Sequence, residues 1–199
     1  MPEEIFDVVN ERDEVVGQAP RGEVHRRKLW HRAVHVLVFN ARGEIFLQKR
    51  SMLKDTAAGL WDSSSSGHVD SGEDYDACAV RELREEIGLD LEKIHLTQRR
   101  KDAKTESFSA SFAPLRETSA SQPLQKLFKI DARAETGWEF CWVYRCASEG
   151  PFVLHPQEIE TGGWFAPELV TQWVAEKPQE FASAFRLIWK LFNKETMKP

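Results

Sequence analysis

The chain has 199 residues, of which 41% are hydrophobic, a length and composition that fit a single domain spanning 1–199 with one buried core. Its 32 acidic residues against 27 basic ones give a net charge of −5, which leaves no broad cationic face for extended nucleic acid. A small phosphorylated metabolite, held by a few local cations and a divalent ion, remains compatible with that balance. Cys78, Cys141 and Cys146 show no framework spacing, no apolar run reaches the roughly 20 residues of a bilayer crossing, and residues 1–10 hold no apolar leader region. The expected setting is reducing and cytoplasmic, without a membrane partner; a homodimer is compatible with the composition.

In chain order, short apolar runs at 5–10 and 14–18 flank a polar turn and predict an N-terminal β-hairpin over about 4–18. Residues 34–39 and 44–49 are rich in β-branched and aromatic side chains, and the Asn40-Ala41-Arg42-Gly43 turn between them predicts an antiparallel pair. From 51 to 72 Ser, Asp, Gly and Ala dominate, which reads as loop with short strands. A helix follows, with Ala79, Val80, Leu83 and Ile87 at helical spacing and Gly88 as its stop. The polar, Ser-rich stretch 99–125 reads as an extended insertion. Strand character returns at 139–146 and 163–165, and two terminal helices are expected over about 167–192, at 167–175 and 179–192.

The helix after residue 72 carries the chemistry. At about 100° per residue, Glu85 lies about 60° to one side of Glu82 and Glu86 about 40° to the other, so three carboxylates share one narrow face. Val80, Leu83 and Ile87 fall on a different face that can pack. Like charges this close repel, and a hard divalent cation such as Mg²⁺ or Mn²⁺ is the natural counter-charge for an oxygen-rich set that also meets phosphates.

The segment 67–89, GHVDSGEDYDACAVRELREEIGL, resembles the Nudix box at every defined position. Gly67, Glu73, Arg81, Glu82, Glu85, Glu86 and Gly88 fill the seven fixed sites, and Leu83 and Leu89 the aliphatic ones; chance agreement at a given start is about one in a billion. The resemblance implies an α/β/α sandwich around a mixed β-sheet and a metal-dependent hydrolase of diphosphates, using Mg²⁺ or Mn²⁺. It implies Glu82, Glu85, Glu86 and the Gly67 carbonyl as metal ligands, Glu86 and Glu85 as catalytic carboxylates, and Glu73 and Arg81 as supports of the loop–helix geometry. A distal carboxylate is expected from Glu158 or Glu160.

Residues 29–68 are similar to the branch that contains isopentenyl-diphosphate isomerase and its hydrolase-like relatives. That likeness implies a diphosphate held by Arg50 and Lys54 and a second metal at His31 and His68, with His25 nearby but offset by one residue in spacing. The isomerase's proton-donating cysteine is replaced here by Ser66, and its departure from the full box is not shared, so both differences favour hydrolysis. Isomerase-like activity and a non-catalytic, nucleotide-sensing domain are the alternatives.

Overall fold

In the computed structural model, which describes residues 3–91 and 124–196, β1 (Ile5–Val9) and β2 (Val15–Pro20) form the expected antiparallel hairpin. A one-sided seven-residue helix follows, α1 (Arg21–Arg27), with Val24 alone buried against Phe6 and Ala19. Sequence periodicity misses it because a single apolar residue makes no repeat.

The main sheet is mixed. Its spine, β3 (His31–Phe39), runs parallel to β8 (Glu139–Ala147) and antiparallel to β4 (Ile45–Arg50) and β6 (Ser65–His68). The two-residue β5 (Trp61–Asp62) and β9 (Ile159–Phe165) pair with β4, and β7 (Leu124–Ile130) pairs antiparallel with β8 on the outside. β3 is apolar on both faces because both are covered. Leu37 and Phe39 pack with Phe185, Ile188 and Trp189, while Val34, Val36 and Val38 pack with Ala79, Leu83 and Ile87.

Those covers are the box helix α2 (Tyr75–Ile87) on one face, and α3 (Pro167–Glu176) and α4 (Ser183–Thr196) on the other. The result is the α/β/α sandwich with a mixed sheet. Pro167 opens α3 at its first turn, as expected. The second terminal helix starts later than the sequence indicates. Residues 178–180 form a 3-10 turn, and Phe181 is extended, bridging in parallel to Trp61 while Ala182 N–H donates to the Trp61 carbonyl at 2.9 Å. A tertiary hydrogen bond thus outcompetes helical propensity for four residues. Of the polar stretch 99–125, residues 99–123 lie outside the described residues; Leu124 and Gln125 open β7 instead of ending an insertion.

Candidate active site

The box helix is set by its ends. Asp74 caps its start by accepting the Ala77 N–H at 2.9 Å, and Gly88 ends it in the left-handed conformation, φ 68°. Its orientation departs from the sequence reading, since Val80 is exposed while Glu82 and Glu86 are buried. On the helix wheel Val80 sits about 60° beyond Leu83 on the side away from the acids, and the helix is rolled so that the acids face the sheet. Glu85 stays on the solvent side.

Gly67 on β6 permits this approach. A Cβ there would overlap the Glu82 carboxylate, so only glycine lets the acid lie against the strand. Glu86 accepts hydrogen bonds from Gln48 Nε2 at 3.1 Å and from the Ser66 N–H at 2.9 Å. Arg81 holds the opposite side: it donates to Glu73 at 2.8 and 2.9 Å and to the His68 carbonyl at 3.0 Å, and its Nη1 reaches Glu82 at 2.6 Å and Glu85 at 3.2 Å. Glu73 and Arg81 therefore tie the loop to the helix. Burial, and for Glu82 the neighbouring Glu86, push the carboxyl groups of Glu82 and Glu86 above the usual carboxylate range.

β6 divides the site. Because successive side chains alternate along a strand, Ser66 and His68 project opposite to Gly67 and line a cavity of about 360 Å³, together with Arg50 and Lys54. Arg50 is buried; its Nη1 donates to Asp62 at 3.4 Å and its Nε to the Thr56 carbonyl at 3.2 Å. Lys54 pairs with Glu158. Both cations line the cavity and their charge favours the ionised form of Glu86, while Glu82, Glu85 and Glu86 are not part of the cavity lining.

The two distal candidates separate clearly. Glu158 reaches Lys54 at the cavity, and its segment is pinned to the end of α2, where His155 N–H donates to the Glu86 carbonyl at 2.8 Å. Glu160 is exposed and turned to Lys49 at 3.1 Å, because the β4–β9 register slips between Lys49 and Arg50.

The histidines converge beyond what the sequence spacing indicates. Donor atoms of His25, His31, His68 and Glu139 lie within 4.8 Å of one another. His31 Nδ1 lies 2.9 Å from the Leu29 carbonyl, which can only accept, so that nitrogen carries a proton and Nε2 is the atom turned to the cluster. Among the described residues, Nε2 of His31 and Nε2 of His25 are buried without hydrogen-bond partners, His31 Nε2 standing 3.5 Å from Glu139 Oε1. Burial, with His68 and His31 nearby, lowers His25 to about 4 and keeps it neutral. Against the cost of burial, the nearby imidazoles of His31, with Nε2 3.5 Å from the Glu139 Oε1, and of His68, with Nε2 at 3.0 Å, hold Glu139 well below the carboxylate range. Sequence reading misses Glu139 because its place opposite His31 comes from the parallel β3–β8 register, which no local pattern encodes. Glu82, Glu85 and Glu86 are not gathered as tightly among the described residues: Arg81 draws two of them one way, and Gln48 and Ser66 hold the third.

The NUDIX domain family model matches residues 29–185, most of the chain. The chain belongs to the Nudix hydrolase family. As such it is a hydrolase of acid anhydrides in phosphorus-containing compounds. An uncharacterised Nudix hydrolase of Pseudomonas aeruginosa is 31% identical over 169 residues, 85% of this chain and 82% of its own length. A crystal structure of a Deinococcus radiodurans protein superposes with a TM-score of 0.64 at 26% identity, covering 87% of this Nudix chain and 90% of that one. An isopentenyl-diphosphate delta-isomerase of Photorhabdus laumondii is 40% identical over 94 residues, 46% of this chain and 53% of its own length. The isomerase-like likeness therefore covers about half of each chain.

Proposed function

We propose that this Nudix hydrolase cleaves the diphosphate linkage of a nucleoside-diphosphate-linked or related small metabolite, with Mg²⁺ or Mn²⁺ bound by Glu82, Glu85 and Glu86 and by the Gly67 carbonyl. One observation carries the reading: two buried carboxylates lie against one strand, Glu82 in the gap that only Gly67 leaves and Glu86 on the Ser66 N–H, and the charge of two cations suited to phosphate, Lys54 and Arg50, reaches Glu86. The donor set fits a hard cation, and among the described residues Gln48 Oε1 is buried without a hydrogen-bond partner next to Glu86. When bound, such an ion supplies charge neutralisation of the diphosphate and a more acidic water.

The protein's own groups supply the rest. Lys54 and Arg50 bind and orient the diphosphate, Arg50 being held rigidly by Asp62 and Thr56. Glu86, whose proton affinity is raised by burial, accepts the proton of the attacking water, with Glu158 as the distal carboxylate. Glu85 adds charge from the solvent side. Three free, buried thiols accord with a reducing, cytoplasmic setting. Among the described residues no helix is long and apolar enough to cross a membrane.

A second metal at His31 and His68, now joined by His25 and Glu139, is favoured by the convergence of their four ligand atoms within 4.8 Å and by two buried imidazole nitrogens with no hydrogen-bond partner among the described residues. It lies on the Ser66 side of β6. The hydroxyl of Ser66 is a poor replacement for a thiol acid, so that side is assigned to binding and not to protonation of an alkene.

The test is product analysis by mass spectrometry on a panel of nucleotide sugars, dinucleoside polyphosphates, coenzymes and isoprenyl diphosphates, with and without Mg²⁺. Expected are metal-dependent hydrolysis of one diphosphate class and its loss in Glu86→Gln with the fold retained. Ser66-dependent conversion of isopentenyl to dimethylallyl diphosphate would move the assignment to the isomerase. Binding of a nucleotide with no turnover of any diphosphate would move it to a sensing domain.

A further inference from the structure

Six of the seven tryptophans have aromatic or cationic neighbours. Trp30 meets the edge of Phe140, Trp61 that of Phe165, Trp164 that of Phe46 and Trp173 that of Phe181; Trp189 stacks on Phe185, and Lys126 sits over Trp142. Trp138 differs: among the described residues its indole has no ring or cation neighbour and its Nε1 no hydrogen bond, although it is half-buried and lines the 360 Å³ cavity.

Its backbone is unusual as well. Trp138 adopts φ 70°, directly after Gly137 at φ 69°, a left-handed conformation that bulky side chains avoid. Held by the Trp138 N–H to Arg133 carbonyl hydrogen bond of 2.8 Å, this kink turns the chain into β8 just before Glu139. A strained residue that places a large unpaired aromatic side chain at a cavity wall is a pattern associated with ligand clamps. Lys28, also in the left-handed region at φ 55°, lines the same cavity and has no ion pair among the described residues.

We propose that Trp138 is a stacking platform for a planar heteroaromatic ring of the substrate, a nucleobase or its chemical equivalent, and that Lys28 meets the polar edge or phosphate attached to it. The inference rests on the diphosphate site assigned above to Arg50 and Lys54, and it fixes the class of group joined to that diphosphate. Size agrees with this division. Ligand pockets run from ~300 to ~1,000 Å³, so a cavity near the lower end encloses a diphosphate and a small group while a nucleoside part spreads over the rim. Ring-on-indole stacking tolerates different bases, because every base offers a π-face.

Calorimetric titration of the full chain with adenosine and uridine 5′-monophosphates, and with ribose 5-phosphate, isolates the ring, since these ligands differ only in the base. The wild type should bind both nucleotides about tenfold or more tightly than ribose 5-phosphate. Trp138→Ala should erase that gap, whereas Trp138→Phe, which keeps a ring, should retain most of it; melting curves of the variants control for misfolding. Equal binding of nucleotide and ribose phosphate by the wild type, no binding of either, or a gap that survives Trp138→Ala would each overturn the proposal. Turnover measured in parallel separates it from the hydrolase reading. A wild type that stacks nucleotides but cleaves no diphosphate loses only the catalytic assignment, and one that cleaves ring-bearing and ring-free diphosphates alike, with or without Trp138, loses only the platform.

Discussion

Glu86 and Glu82 couple the fold to the ion they are proposed to bind. Burial first, and for Glu82 the neighbouring Glu86, raise both folded pKa values above the ordinary 4.5. As pH rises, the unfolded chain ionises first, so the metal-free fold loses stability from about pH 4.5 upward through the raised values. A cation that binds the ionised pair offsets this loss. Thermal melts should therefore show a Tm gain on adding Mg²⁺ that grows with pH across that window and is absent in Glu82→Gln; a gain independent of pH would disconnect the ion from these two groups. Lys54 offers a cleaner kinetic test than Arg50, because removing Arg50 also strands buried Asp62. Lys54→Gln should lower kcat/KM about tenfold or more, as loss of a charge-assisted hydrogen bond worth ~1.5–3 kcal/mol implies. Unchanged steady-state constants on a verified substrate would remove Lys54 from the site.

The contact between β6 and α2 is where two elements make one site. β6 offers its glycine gap to Glu82 and the Ser66 N–H to Glu86, while its opposite side carries Ser66 and His68 into the cavity. Gly67→Ala would place a methyl group where the Glu82 carboxylate lies, and the end of that side chain, not the strand, is what can move. The expected result is a fall in kcat/KM of at least about tenfold, with circular dichroism and Tm little changed. Retained activity would show that Glu82 acts from another position. The same elements mark the limits of pattern reading. The roll of α2 differs from the one that the apolar positions Val80, Leu83 and Ile87 predict, because packing against the sheet sets the angle and leaves Val80 exposed with Glu82 and Glu86 buried. β7 was hidden because Leu124–Ile130 lies at the sheet edge with mixed side chains that supply little strand signal.

At the scale of the molecule, the two faces of the sheet share one set of buried thiols. Cys141 packs in the cluster with α4, while Cys78 lies on the buried face of α2 and Cys146 of β8 packs in the same cluster as that face. Burial pushes Cys146 up to about 11 and raises Cys78 and Cys141 well above the usual thiol range, so thiolate is scarce at about pH 8. Native protein should resist a disulfide thiol reagent at that pH and release three equivalents only on unfolding; rapid labelling of the folded chain would show a thiol in reach of solvent. The sequence alone determined the family, because the box compresses a loop, a helix and its acids into 23 consecutive residues whose chemistry is local. It also determined the principal strands and helices, through hydrophobic period and end signals. Tertiary structure alone decided which side of β6 each group faces, that Glu139 joins three histidines, that Glu158 and not Glu160 pairs with Lys54 of the cavity wall, and that the Trp138 indole has no ring or cation neighbour among the described residues. Those outcomes depend on strand register and on contacts between residues far apart in the chain, and neither leaves a periodic trace in the order of the amino acids.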